Sequence, residues 1–316
     1  MKNFWNNLNR PILGLAPMED VTDAAFRSLI AEHGRPDVTF CEFTSADGLA
    51  LADEKGQKKL RRKLLFGENE RPVVAQFFTA IPEHMAFATK LAAEMGFDGV
   101  DINMGCPANE VVRQKCGAGM IQEPALAREI IRAAKRGAPE LPISVKTRLG
   151  YNVDQLEEWL PELLAEEPAA ITIHARTRKE MSLVPARWER VGRAVEIRDA
   201  LGPKTLILGN GDLTDVADAR EKCAQTDADG ALLGRAIYGN PWLFSGRTDE
   251  PSPQERIATL AEHIKRFEKM IGDTQHFAVM KKHFKAYISG WDGAKELRIR
   301  LMETERAEDA LAILSS

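Results

Sequence analysis

Eight short apolar runs alternate with segments of helical periodicity, and this alternation is the feature that most restricts the fold. Strands that are buried on both faces have continuous apolar sequences, and helices between them are required when neighbouring strands pair in parallel. Eight strand–helix units predict an α/β protein with a closed TIM (β/α)₈ barrel rather than an open sheet. The runs are residues 12–18, 38–43, 73–78, 99–104, 143–148, 170–175, 205–211 and 230–235.

A change of pattern near residue 245 predicts a second, smaller domain. The segment 245–255 is polar and contains proline, which indicates a linker, and residues 255–315 have helical periodicity with almost no strand signal. We therefore predict a barrel domain at 1–245 and a small helical C-terminal domain at 246–316. Within the barrel the second unit is the least clear, and helices are predicted at about 22–33, 82–95, 124–136, 154–166, 189–201 and 214–224.

Composition excludes several classes of protein. The chain has 316 residues, of which 44% are hydrophobic and 28% charged, as is ordinary for a globular protein. No apolar run reaches membrane-spanning length and no signal peptide is evident, so we expect a cytoplasmic protein without a membrane partner. Four cysteines without a CxxC pair argue against a disulfide framework and a zinc site, and we predict no metal. With a net charge of −4, any affinity for nucleic acid must come from local basic surface.

Polar side chains close most of the predicted strands, at the end of the barrel where active sites of this fold lie. Each residue alone could be a loop cap or a satisfied core residue, but their coincidence favours a site. Burying Lys146 without a partner would be costly, so we expect an anionic or electron-rich ligand. These residues are Glu42, Gln76, Asn103, Cys106, Lys146, Arg148, His174, Arg176, Asn210, Asp212 and Arg235.

Two glycine-containing turns follow the last two strands, where barrels of this kind hold a phosphate on backbone N–H groups. They are Asn210-Gly211-Asp212 and Gly234-Arg235, and the Arg235 guanidinium could add bidentate recognition. The alternative is two tight turns with an incidental arginine.

Seven segments resemble the tRNA-dihydrouridine synthases, and the resemblance extends from about residue 12 to about residue 302. DINMGCPA is highly specific to that family, whereas NGD alone would be a weak signal. The segments are APMEDVTD (16–23), DINMGCPANEVVRQKCGAGM (101–120), VKTRLG (145–150), ITIHARTR (171–178), LGNGD (208–212), ALLGRAIYGNPWLF (231–244) and MKKHFKAYISG (280–290).

The resemblance implies an enzyme that reduces the C5–C6 double bond of specific tRNA uridines, using FMN that is itself reduced by NADPH or NADH. Lys146 would stabilise the anionic reduced flavin, and Gln76 would hydrogen-bond the edge of its pyrimidine ring. The resemblance places FMN against Ala16, Pro17, Met18, Gln76, Lys146, His174, Asn210, Gly211, Asp212, Gly234 and Arg235.

The family's proton donor to uracil C5 is the cysteine of the GCP motif, which implies that Cys106 is the catalytic acid. A free thiol has a pKa of about 8.5 and is mostly protonated at neutral pH. Cys116 lies in the same loop, and the sequence leaves it open as a rival. Cys41 and Cys223 are predicted to be packing residues.

A tRNA substrate requires base flipping and a grip on the phosphate backbone. Two basic stretches could supply that grip, residues 55–63 and 280–285, although the first could instead be a solvated helix face. The predicted tRNA contacts are Asn103, Arg148 and Arg176 at the barrel mouth and Lys281 and Lys282 in the helical domain.

The chain departs from the family pattern after Gln76, where Phe77-Phe78-Thr79 stands in place of an early glycine, and at Gly119-Met120-Ile121. The main alternative is an FMN-dependent barrel acting on a free small molecule, and a second is an inactive flavoprotein or RNA chaperone. No protein partner is implied, and a monomer is the default. The sequence does not specify the uridine modified or the choice between NADPH and NADH.

Overall fold

The computed structural model describes residues 3–315, and the bounds of its regular elements follow. The strands are β1 (Ile12–Leu15), β2 (Val38–Phe40), β3 (Thr44–Ser45), β4 (Val73–Phe78), β5 (Gly99–Met104), β6 (Ile143–Arg148), β7 (Ala170–His174), β8 (Leu206–Asn210) and β9 (Gly230–Leu233). The helices are α1 (Ala24–Gly34), α2 (Ala46–Leu51), α3 (Glu54–Lys63), α4 (Pro82–Glu94), α5 (Asn109–Val112), α6 (Pro124–Gly137), α7 (Leu156–Leu164), α8 (Trp188–Leu201), α9 (Val216–Thr226), α10 (Pro253–Ile271), α11 (Lys281–Tyr287), α12 (Ala294–Met302) and α13 (Ala307–Leu314).

Eight strands close into a parallel barrel in the order β1, β2, β4, β5, β6, β7, β8, β9 and back to β1. The closure pairs Ile12 with Gly230, and the pairing of Thr39 with Val73 joins β2 to β4. These are the eight strands predicted from the apolar runs, so the TIM-barrel prediction is confirmed. The remaining strand, β3, has two residues and lies beside the end of β4.

The second unit holds the largest addition to the predicted architecture, because β3, α2 and α3 all lie between β2 and β4. The side chains of Ser45 and Asp53 accept hydrogen bonds from backbone N–H groups in the first turns of α2 and α3. No residue of α3 is buried, and all six of its basic side chains belong to the stretch 55–63.

Alternate residues of the strands form two separate cores. The inner core contains Ile12, Phe40, Leu208 and Leu232, and Trp5 packs with them. The outer core lies between the strands and the surrounding helices and extends into the C-terminal helices. A filled interior prevents the barrel from being a pore and leaves room for a ligand only at its mouth.

The C-terminal helices begin at Pro253, close to the predicted start, and α10 packs directly on α1. The rings of Phe26 and His263 stack with centroids 4.7 Å apart, and the Arg266 guanidinium donates to Ser28 Oγ at 3.1 Å and pairs with Glu32. A domain boundary at 245/246 therefore stays a prediction. In the range 3–315, no helix combines the length and apolar character needed to cross a membrane.

Candidate active site

A cavity of about 640 Å³ opens where the barrel strands end. Its size lies within the range of roughly 300–1,000 Å³ that is typical of small-molecule and cofactor sites. The predicted residues that line it are Ala16, Pro17, Met18, Gln76, Asn103, Cys106, Lys146, Arg148, His174, Arg176, Asn210, Gly211, Asp212, Gly234 and Arg235. The structure thus brings together every predicted site residue except Lys281, Lys282 and Glu42. Glu42 is 3% exposed and accepts from the Asp20 N–H outside the cavity.

Lys146 extends from β6 into this cavity with most of its hydrogen-bonding capacity unused. Its Nζ donates to Asn210 Oδ1 at 3.0 Å, and within residues 3–315 we find no second hydrogen bond from it. The Asn210 amide is oriented by its own donation to the Leu232 carbonyl at 2.7 Å. Burial, together with the nearby Arg148 charge, lowers the pKa of Lys146 from 10.5 to about 8. The ammonium is therefore mostly charged at neutral pH and has N–H groups available to an anionic ligand.

Gln76 belongs to a chain of buried hydrogen bonds. Its Nε2 donates to Asp101 Oδ2 at 2.7 Å, and its Oε1 accepts from Asn103 Nδ2 at 3.2 Å. Ser144 Oγ donates to the other oxygen of Asp101 at 2.6 Å, and burial raises the pKa of Asp101 to about 6. The sequence analysis missed Asp101 and Ser144, although a carboxylate inside an apolar strand is a signal that it must have polar partners.

Cys106 is held at the cavity wall by the loop after β5. The Asn103 side-chain oxygen accepts from the N–H groups of Gly105 and Cys106 at 3.1 and 2.9 Å. Gly117 packs against this loop at a φ of +55°, and a Cβ on it would lie 2.6 Å from the Cys106 carbonyl oxygen. The side chain is half-buried, and burial raises its pKa. The thiol consequently stays protonated at neutral pH.

Cys116 differs from Cys106 in both position and environment. It is 1% exposed, it is not among the residues that line the cavity, and its thiol donates to the Gln114 carbonyl at 3.4 Å. Burial raises its pKa to about 12. Cys41 and Cys223 are buried as well, which agrees with a packing role.

Arg148 connects two loops at the mouth. Its Nε donates to the Gly105 carbonyl at 2.7 Å, and its Nη1 donates to the carbonyls of Thr177 and Met181 at 3.1 and 3.3 Å. Burial lowers its pKa to about 10, so it remains charged at neutral pH. The guanidinium supports the loops after β5 and β7 from inside the cavity.

Asp212 accepts from two arginines of the site. Arg176 pairs with one of its oxygens, and Arg235 Nη2 donates to the other at 2.7 Å. The hydrogen bond from Arg176 holds the pKa of Asp212 below its ordinary value. Arg176 Nη1 also lies 3.2 Å from His174 Nε2, and burial together with neighbouring cations keeps the pKa of His174 well below 6.5. His174 is therefore neutral, with Nε2 as the acceptor.

The turn after β8 has the backbone form expected for close approach of a ligand. Gly211 has a φ of +126°, and its carbonyl accepts from Trp188 Nε1 at 2.8 Å. Arg235, whose side chain is 64% exposed, lies across from it beside Asp212. The predicted phosphate site remains a prediction, now with its two turns at one end of a single cavity.

Further residues that line the cavity were not predicted. Phe43 is the most informative, because its ring packs against Phe78 at 5.6 Å between centroids. The departure from the family pattern after Gln76 therefore places an aromatic pair beside the cavity. The other residues in this group are Gly105, Pro107, Met181, Ser182, Leu213, Thr214 and Leu232.

The two basic stretches converge on the loop that follows Met18. Lys63 at the end of α3 pairs with Glu19, and Lys282 Nζ of α11 lies 3.9 Å from Asp20 Oδ2. Lys281 and Lys282 thus lie outside the cavity, and Lys282 lies close to the β1 loop at its edge. Basic side chains of α3 and α11 therefore lie beside the carboxylates of this loop, near the edge of the mouth.

The chain was compared with known proteins. Residues 14–316 match the family model described as dihydrouridine synthase. A probable tRNA-dihydrouridine synthase of Staphylococcus epidermidis RP62A is 41% identical over 100% of this chain and 96% of its own. A probable tRNA-dihydrouridine synthase 2 of Bacillus subtilis 168 is also 41% identical, over 99% of this chain and 96% of its own.

Solved structures share the fold at much lower identity. Histamine dehydrogenase from Rhizobium sp. 4-9 aligns with a TM-score of 0.55 and 13% identity over 80% of this chain and 48% of its own. Morphinone reductase in complex with tetrahydroNAD aligns with a TM-score of 0.50 and 13% identity over 77% of this chain and 89% of its own. These two show the TIM-barrel fold alone, whereas the family match and the full-length relatives show that the chain belongs to the dihydrouridine synthase family.

Proposed function

We propose that this protein reduces specific uridines of tRNA to 5,6-dihydrouridine, with FMN as the bound cofactor, NADPH or NADH as the reductant and Cys106 as the proton donor. The observation that carries the proposal is that a protonated thiol and the under-bonded Lys146 ammonium lie in one cavity. Family membership supports the substrate class, and the geometry supports the assignment of roles.

The residues present fit FMN. The cavity joins a half-buried cation at Lys146 to an exposed guanidinium at Arg235, and Leu232 and Met18 add apolar surface. Ala16, Pro17, Gln76, His174, Asn210 and Asp212 complete the predicted contacts, with Gly211 and Gly234 where the backbone must come close. When bound, FMN would supply the hydride for C6 of uracil.

Cys106 performs the acid step in this proposal. Its Sγ–H transfers a proton to C5 of uracil as negative charge develops there, and the raised pKa ensures that the proton is present beforehand. The charges of Arg148 and Lys146 both favour the thiolate that remains afterwards. Asn103 holds the loop backbone so that the thiol keeps its position during the transfer.

Neutral His174 and the charged Arg176 and Arg148 would orient the polar edge of the uracil. The base must leave its stack to reach them, and basic side chains of α3 and α11 would hold the phosphate backbone. Residues 246–316, which contain Lys281 and Lys282, would supply part of that grip as a tRNA-binding domain.

The test is to mix the purified protein and FMN with unmodified tRNA, supply NADPH or NADH, and map dihydrouridine along the RNA. We expect stoichiometric modification of specific uridines. The rates with NADPH and with NADH then show which reductant the enzyme prefers. Reoxidation of the reduced protein by free enones or orotate-type acceptors, without any product in tRNA, would instead support an enzyme of small molecules.

A further inference from the structure

The loop between β7 and α8 carries an exposed apolar tip at the mouth of the cavity. Met181 is 44% exposed, Leu183 84% and Val184 37%, and residues 181–185 are all exposed. Met181 and Ser182 also line the cavity itself. Single exposed apolar side chains are ordinary, but a group of them beside an active-site cavity marks an interaction surface.

The tip is held in place from below. Arg148 donates to the Met181 carbonyl at 3.3 Å, Arg176 Nε donates to the Val184 carbonyl at 2.6 Å, and the Leu183 N–H donates to the Glu180 carbonyl at 2.9 Å. Both arginines line the cavity, so the tip is attached to the site it borders.

Met181 adopts a φ of +52°, which is unfavourable for a residue with a side chain by roughly 1–2 kcal/mol. Such a conformation persists only where its surroundings maintain it, and it is common at ligand-binding sites. The loop therefore holds the apolar tip in its exposed position.

Several basic side chains adjoin the tip along the chain, and the carboxylate of its own loop, Glu180, is ion-paired with Arg187. Arg178 Nη2 donates to Asn109 Oδ1 at 2.7 Å, which ties this loop to the start of α5, and Lys179 and Arg113 are exposed nearby along the two chain segments. A ligand that offers both anionic groups and flat apolar faces fits this combination, and RNA offers both through its phosphates and bases.

We propose that Leu183, flanked by Met181 and Val184, packs against the nucleobase next to the uridine that enters the cavity. Extrusion of a base leaves its neighbour without a stacking partner and costs a few kcal/mol, and apolar side chains can cover the exposed base face. Leu183 would occupy the place that the uracil leaves. This inference rests on the proposed function, because it requires an extruded tRNA uridine.

The test compares Leu183→Ser with Leu201→Ser. Leu201 is 57% exposed at the end of α8, which leads back to the amino end of the barrel, so it is a matched surface leucine away from the mouth. Leu183→Ser removes the contact that buries one leucine side chain against the base. We therefore expect kcat/KM for dihydrouridine formation to fall about tenfold. We expect no change for Leu201→Ser, and an unchanged rate of flavin reduction by NADPH without tRNA for both.

A second readout reports on the contact itself. After the wild-type product is mapped, 2-aminopurine is placed on the 5′ or the 3′ side of the modified uridine in two tRNA preparations. Binding to the wild-type protein should change the fluorescence of one of them, and Leu183→Ser should reduce that change while Leu201→Ser preserves it.

The outcomes separate the two proposals. Absence of dihydrouridine with the wild-type protein would overturn the proposed function. An active wild type whose kcat/KM and fluorescence change survive in Leu183→Ser would overturn the contact alone. Loss of FMN, or slower flavin reduction without tRNA, in Leu183→Ser would also overturn it, because the tip would then cover the cofactor.

Discussion

Charged side chains lie at both ends of the barrel, but Asp229 at one end has several partners whereas Lys146 at the other has one. At the amino end, Asp229 accepts from Arg10 at 2.5 Å, from Arg198 at 2.6 Å and from the Ile207 N–H at 2.8 Å. At the carboxyl end, the Lys146 ammonium has one hydrogen-bond partner in the described part of the chain. Saturated charges stabilise a barrel, whereas incompletely paired charges around a cavity are available for chemistry.

The amino end repeats one arrangement three times. Asp37, Asp98 and Asp229 each come directly before a strand and accept from a backbone N–H of the neighbouring strand, at 2.8 Å in every case. Each carboxylate satisfies a donor that the strand ladder leaves free. The two ends thus differ in the surroundings of their strand-end side chains. At the amino end these side chains bond to backbone N–H groups, and at the carboxyl end they line a cavity.

The largest effect we expect is that of Cys106→Ala on dihydrouridine formation. Removal of a general acid lowers the rate by roughly 100- to 10,000-fold. Reduction of the bound flavin by NADPH should continue, because the flavin accepts the hydride and Cys106 takes no part in that step. Stopped-flow absorbance separates the two half-reactions, and full activity in the variant would remove Cys106 from its assigned role.

At the opposite end, Asp229→Ala should cost stability rather than activity. It removes the buried carboxylate that accepts from Arg198 Nη1 and from the Ile207 N–H, and breaking such a buried arrangement costs about 3–5 kcal/mol. The matched control is Asp199→Ala, because Asp199 pairs with the same Arg198 but is 63% exposed, which predicts about 1 kcal/mol or less. Urea unfolding followed by circular dichroism measures both, and equal losses would contradict the contrast between the ends.

Comparison of wild type with Lys146→Met should show how much the charge of Lys146 lowers the free energy of unfolding, because that contribution depends on pH. The pKa of Lys146 is about 8 in the folded protein and about 10.5 when unfolded, so the buried charge destabilises the fold below pH 8. That cost disappears as the pH rises from 8 to 10.5, and flavin-free wild type should gain up to about 3 kcal/mol relative to the variant. Unfolding midpoints at pH 7 and 10.5 test this, with exposed Lys179→Met as the control. A constant difference would mean that Lys146 is not desolvated.

The smallest effect we expect is that of Cys116→Ala. Loss of a buried thiol should lower the free energy of unfolding by about 1 kcal/mol. Dihydrouridine formation should stay within a few-fold of wild type, because the thiol faces the Gln114 carbonyl and its pKa is about 12. If this variant lost activity as completely as Cys106→Ala, the proton would have to come from a loop conformation other than the one described.

Much of the fold could be predicted because it depends on local pattern. Continuous apolar runs located all eight barrel strands, and Pro82 and Pro124 fall on the first residues of α4 and α6 as their preference for helix starts implies. The second unit was unclear because β3, α2 and α3 are short. No residue of α3 is buried, so its sequence has little hydrophobic periodicity that would predict a helix.

The candidate site was predictable as a set of residues but not as a set of contacts. Arg176 and Asp212 were both placed at the mouth, yet their pairing depends on how two loops 36 positions apart pack together. The exposed tip at Leu183 was missed because an apolar residue in a loop has no period to mark it. Its position became evident only from the carbonyl groups that Arg148 and Arg176 hold.

Arg148 has a consequence for how substitutions combine. One guanidinium donates to carbonyl oxygens of the cysteine-bearing loop and of the loop with the apolar tip. A shift of either loop would therefore move the guanidinium and weaken its hydrogen bond to the other loop. Free-energy changes from substitutions in the two loops should therefore fail to add, although no side chains of the pair need touch. A double-mutant cycle between Pro107 and Met181 would measure how strongly the acid and the base-contacting surface depend on their shared cation.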